Sequence, residues 1–152
     1  MRCRRDANHE AWKRFHPRIE QARLIWSPWT HFEVFNSLRQ LTLGGDAGLS
    51  EPEVRQLISS FDSEVKAGYY DLAIVDWRDE LRECRELSTR FGFKMSMRSG
   101  DVVQVAIARL SGADAFVTCD IDQHALAEMA GLESWCVTDQ GRKHQGEIKG
   151  HR

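Results

Sequence analysis

Two runs decide the fold: Asp101-Val102-Val103-Gln104-Val105-Ala106-Ile107-Ala108-Arg109-Leu110 and, a short loop later, Ala115-Phe116-Val117-Thr118-Cys119-Asp120. The first is apolar on almost every side at helical spacing, which predicts a largely buried helix from Gly100 to Leu110, with Ser99 as its cap. Gly112 ends it. The second is a short β-rich run closed by an aspartate and predicts a strand over 115–119. A helix from Ile121 to Ala130, stopped by Gly131, and a strand over Ser134–Val137 follow. Strands that alternate with helices point to an α/β fold with a short parallel sheet.

Upstream the same alternation holds. Ala11, Phe15, Ile19 and Ala22 at helical spacing predict a helix from Ala7 to about Leu24. The segment 24–29 is apolar and ends at a proline, so it reads as a strand, and Thr30 then opens a helix that Gly44-Gly45 stops. Ser50-Glu51-Pro52-Glu53 is a helix start with a capping serine, an early proline and a glutamate at the capping-box position. Residues 69–75 read as a strand. Trp77, Leu81, Cys84 and Leu87 mark a helix over 77–91. Residues 140–152 are polar and predict a disordered tail behind a single domain over 1–139.

The composition excludes several classes. The chain has 152 residues, 41% hydrophobic and 29% charged, which suits one globular domain. Its net charge of -2 gives no global support for nucleic-acid binding, so any RNA-binding surface is local. No apolar run reaches the roughly 18 residues of a membrane span. The basic start Met1-Arg2-Cys3-Arg4-Arg5 leads into no apolar stretch, unlike a signal peptide. Cys3, Cys84, Cys119 and Cys136 form no C-x-x-C pair and read as reduced thiols of a cytoplasmic protein. His9, His16, His31 and His124 share no metal-ligand spacing and read as surface groups, while the tryptophans read mainly as core.

Three acids fall where a site at the carboxyl ends of parallel strands collects its residues: Glu33 after the first visible strand, Asp101 in the first turn of the buried helix, and Asp120 at the end of the 115–119 strand. Carboxylates from separate segments supply the oxygen ligands that hard divalent cations prefer. Each acid also has a local reading. Thr30 to Glu33 has the form of a capping box, Asp101 suits the helix dipole, and Asp120 with Gln123 resembles an N-cap pair.

Asp101 followed by alanines five and seven positions on, together with Thr118-Cys119-Asp120 closing an apolar strand, resembles the PIN-domain family and its VapC-like toxin branch. Gln123, Leu126, Ala127, Gly131 and Leu132 match the segment that follows in that family, and Pro28-Trp29-Thr30 with Glu33, Asn36, Leu38 and Arg39 matches its second strand and glutamate-bearing helix. Where many of the toxins carry histidine, this chain has Gln104. The resemblance covers roughly residues 7–138. It implies a three-layer α/β/α sandwich and a metal-dependent endoribonuclease that cleaves single-stranded RNA, with a cognate antitoxin or a homodimer as partner. It implies Mg²⁺ or Mn²⁺ at Glu33, Asp101 and Asp120, with Asp122 as an auxiliary acid and Thr118 orienting the site by hydrogen bonding.

In one respect the chain departs from the family. PIN domains open with a central apolar strand that ends in a further aspartate, and residues 1–10 contain no such strand; Asp6 has no apolar run before it. The expectation is a start codon placed too late; the competing readings are a degenerate remnant, which would be a truncated, non-catalytic binding module, and a strand supplied by another chain. The Asp120-Ile121-Asp122 run also has the form of an aspartyl-phosphatase D-x-D, but such an enzyme needs more strands after its nucleophile than this reading supplies.

Overall fold

The computed structural model describes residues 8–43 and 48–138. Gly44-Gly45 and the 140–152 tail lie outside these residues, as does the start of the chain. The chain divides into two compact units, Arg23–Val75 and the combination of Met1–Ala22 with Asp76–Arg152. Both are mixed α/β, and each contains a parallel pair of strands. Among the described residues no helix is long and apolar enough to cross a membrane.

In the Arg23–Val75 unit, β1 (Leu24–Trp26) runs into α2 (Pro28–Gln40), α3 (Glu51–Lys66) and β2 (Tyr70–Leu72). The strands pair in parallel, Leu24 with Tyr70 and Trp26 with Leu72, so the two helices form the crossover that a parallel pair requires. β1 is shorter than the expected 24–29 strand because Ser27 and Pro28 already start the helix. The Ser27 hydroxyl accepts the Thr30 N–H at 3.0 Å, and Pro28 sits where its missing N–H costs nothing. This overturns the capping-box reading of Thr30 and Glu33: Glu33 lies in the second turn of α2, beyond the positions a cap uses. The Ser50–Glu53 start of α3 does form, with Glu53 Oε2 accepting the Ser50 N–H at 2.8 Å. Buried Trp26 anchors the unit. It packs on Phe61 and Tyr70 at ring-centroid distances of 5.8 and 4.9 Å, and Phe35 is buried beside Phe61. Such aromatic pairs supply much of the apolar area a small unit can bury.

The other unit contains α1 (His9–Phe15), α4 (Trp77–Phe91), α5 (Ser99–Leu110), β3 (Ala115–Thr118), α6 (Ile121–Met129) and β4 (Glu133–Cys136). α1 stops well short of Leu24. Pro17 cannot donate to the ladder, and the chain tightens into a 3₁₀ turn over His16–Arg18. Ala11, Phe15 and Ile19 are buried as their spacing predicts, but Ala22 is exposed. β3 and β4 pair in parallel, with Ala115 opposite Glu133 and Thr118 opposite Cys136. α6 closes the βαβ crossover, and Gly131 leaves it at φ +87°, a conformation that glycine adopts without strain.

Strand alternation divides this unit's core into two faces. Phe116 joins Leu87, Phe91, Val102, Val105, Ala106, Leu126 and Ala127 from α4, α5 and α6. Val117, Cys119, Trp135 and Val137 meet Ala11, Phe15 and Ile19 on the opposite side. α5 is buried through Val102, Val105, Ala106, Ile107 and Ala108, as its composition predicts. α4 is not uniformly buried. Leu87 and Phe91 reach the core, but Leu81 is 53% and Trp77 64% exposed, so the core reading of Trp77 fails. The charges on that helix pair locally, Arg82 with Asp79, while Glu83 binds Arg109 of α5.

Candidate functional site

Two helix starts and one strand end supply the polar residues of the site. β3 brings Thr118 and Asp120 to its carboxyl end, where α6 begins. Asp120 is the N-cap of α6. Its Oδ1 accepts the backbone N–H of Asp122 at 2.8 Å and of Gln123 at 3.1 Å. The N-cap pair read from the sequence is therefore present. α5 starts at Ser99, with Arg98 rather than Ser99 at the N-cap position. Asp101 Oδ2 accepts the Arg98 N–H at 3.3 Å. That is a helix-start role of the kind expected for a first-turn acid.

Between these acids lies Gln123, only 6% exposed. Its side-chain nitrogen donates to Asp101 Oδ1 at 3.4 Å and to Gln104 Oε1 at 3.3 Å. Its carbonyl oxygen accepts the Thr118 hydroxyl, which itself accepts the Asp120 N–H at 3.0 Å. One connected network thus joins Asp101, Gln104, Thr118, Asp120 and Gln123. Asp122 lies on the first turn of α6.

Burial pushes the Asp101 carboxyl above the usual aspartate value, and the negative charges of Asp120 and Asp122 add to that, partly offset by the Arg98 backbone bond and guanidinium. Cys136, opposite Thr118 in the register, is raised chiefly by burial, with a further push from Asp120. Glu33 is half-buried in α2 of the Arg23–Val75 unit.

Carboxylate oxygens are the donors that hard divalent cations prefer. The site's acids are oxygen donors whose mutual repulsion a cation relieves, and each ionised carboxylate keeps acceptor capacity beyond its backbone bonds. Among the described residues no group of three or more His, Cys, Asp or Glu side chains is placed to hold a metal ion.

Two polar side chains depart from their sequence reading. His124 is not a surface group. Its side chain is 14% exposed, Nδ1 lies 2.8 Å from the Ser134 hydroxyl and Nε2 lies 3.7 Å from Glu128. His31 packs within the aromatic cluster, 4.1 Å from Phe35 between ring centroids, and accepts from Trp26 Nε1 at 3.4 Å. The central role of Gln123 was also not evident from the sequence, where it read as the N-cap partner of Asp120 and as one residue of the family-like segment. Compared with known protein families, with characterised proteins and with solved structures, the chain matches none of them.

Proposed function

We propose that the protein is a metal-dependent endoribonuclease that hydrolyses phosphodiester bonds in single-stranded RNA. The observation that carries this reading is the junction at the end of β3, where a buried hydrogen bond and two part-buried ones join Asp101 to the Thr118–Asp120 strand end. In this reading Asp101 and Asp120 hold Mg²⁺ or Mn²⁺, and Asp122 is an auxiliary acid. A bound cation supplies an activated water and offsets the charge that develops on the phosphoryl group. The chain's own groups set the geometry. Backbone N–H donors hold both aspartates, and Thr118 ties the strand end to α6.

The test is cleavage of labelled single-stranded RNA by the purified chain with Mg²⁺ or Mn²⁺, with and without chelator. Asp101→Asn and Asp120→Asn serve as controls, and both are expected to abolish cleavage, Asp101→Asn with the fold intact. Chelator-insensitive cleavage, or cleavage retained by a folded Asp101→Asn protein, refutes the assignment.

One observation favours a second reading, a non-catalytic module that binds an antitoxin or a second copy of itself. Trp77 and Leu81 leave an apolar surface on α4, and exposed aromatic residues are enriched where proteins bind one another. Absence of metal-dependent cleavage, with self-association lost in Trp77→Ser, is the outcome that selects it.

A further inference from the structure

Gln123 occupies a position that packing alone does not explain. A buried primary amide costs free energy unless its donors and acceptor are all used, and here they are. The orientation of the amide follows from its neighbours, although its oxygen and nitrogen are alike in shape. The Thr118 hydroxyl accepts the Asp120 N–H, and its single proton points to Gln123 Oε1. At the other end the ionised Asp101 carboxylate can only accept, so it must face the Gln123 NH₂. Both ends fix the same orientation. The second amide proton goes to Gln104 Oε1, from the turn of α5 that follows Asp101.

We propose that Gln123 is a positioning residue: its amide holds the Asp101 carboxylate of α5 in place relative to Asp120 at the end of β3. The inference rests on the reading of these two aspartates as cation ligands. An amide is the group the position requires. A carboxylate there would oppose Asp101 oxygen to oxygen, and an apolar side chain of the same length would fill the volume but leave Asp101 without this tether. Groups that orient metal ligands in this way typically contribute about 10- to 100-fold to metal affinity.

The test uses the full chain. Mn²⁺ binding is measured by calorimetry for the wild type and for Gln123→Met, a substitution of similar length, with circular dichroism to confirm the fold. The expected result is a loss of Mn²⁺ affinity of about tenfold, at the lower end of that range because Arg98 still anchors Asp101. A second measurement needs no change at Gln123. Its side-chain NH₂ resonances, assigned through bonds in wild-type protein, are expected to shift in Asp101→Asn. Wild-type Mn²⁺ affinity in folded Gln123→Met, or NH₂ resonances unmoved by Asp101→Asn, overturns the role of Gln123 alone. Wild-type protein that binds no Mn²⁺ overturns the cation reading of the site and the proposal with it.

Discussion

Replacing Thr118 by valine tests whether the hydrogen-bonded junction stabilises the fold. Valine has the same shape and differs by the hydroxyl. Thr118 is 8% exposed, so water does not readily replace what is lost. The substitution leaves two groups without their partner: the Asp120 N–H and the carbonyl oxygen of Gln123. An unsatisfied buried group costs about 1–3 kcal/mol. The Asp120 N–H is only partly buried and recovers some hydration, so the total comes to about 2–3 kcal/mol. That corresponds to a fall in melting temperature on the order of 4–12 °C for a chain of this size. A double-mutant cycle with Gln123→Met isolates the link between the two side chains. Once the Gln123 carbonyl is gone, valine no longer strands it, and the coupling is expected to be about 1 kcal/mol. The assay is urea denaturation followed by circular dichroism. A Thr118→Val cost below about 0.5 kcal/mol, or strict additivity in the cycle, refutes the argument that this network is closed and buried.

Other substitutions separate roles that the sequence leaves merged. Leu87→Ala is expected to cost about 2–5 kcal/mol. Trp77→Ser is expected to cost only about 0.5 kcal/mol or less, since the two residues share a helix but only Leu87 reaches the core; equilibrium unfolding of both compares them directly. Ser27→Ala removes the cap of α2 and is expected to cost about 1 kcal/mol. Glu33→Gln, by contrast, is expected to change stability by about 0.5 kcal/mol or less; the reverse order in the same unfolding assay would restore Glu33 as the cap. Burial and neighbouring acids raise the Asp101 carboxyl in the fold, so its stabilising contribution is complete below the unfolded value near 3.8 and is lost as pH rises through the folded value. Stability relative to Asp101→Asn is therefore expected to fall as pH rises from below the unfolded value near 3.8 through the higher folded value in denaturation at stepped pH, and a relative gain over that rise contradicts the placement.

The sequence was most legible where one interaction dominates. The 77–91 and 99–110 helices follow from apolar spacing, and the Ser50–Glu53 start of α3 from a short-range hydrogen bond that the residue types specify. All four strands were located, but β1, β2 and β3 came out shorter than their apolar runs and β4 is shifted one residue toward the N-terminus. Beside β1 and β3 the reason is local, because the capping residues Ser27 and Asp120 begin the next helix. The burial of α4, unlike its extent, was the least legible feature: spacing reveals a stripe but not how much of it finds a partner, so Trp77 and Leu81 read like Leu87. The partial burial of His31 and His124 depends on contacts with Trp26, Phe35 and Ser134, which no local pattern encodes.

The acids pose a sharper version of the same problem, because the sequence set their capping roles against their chemical ones. Asp120 caps α6, and Asp101 reaches back to the start of α5. These bonds take up part of each carboxylate, and an ionised carboxylate has about four acceptor positions. A backbone N–H bond also favours the charged form and fixes its direction, which a cation ligand needs as much as a helix does. Capping alone accounts for the Asp120 bonds and for the Arg98 bond. It does not account for Gln123, whose amide reaches from α6 to a residue on another helix and satisfies no helix end by doing so. In the proposed reading that crossing bond is what joins the two helix starts into one site, so metal affinity in Gln123→Met discriminates between that reading and two well-capped helices, while the stability of the Asp120 cap does not.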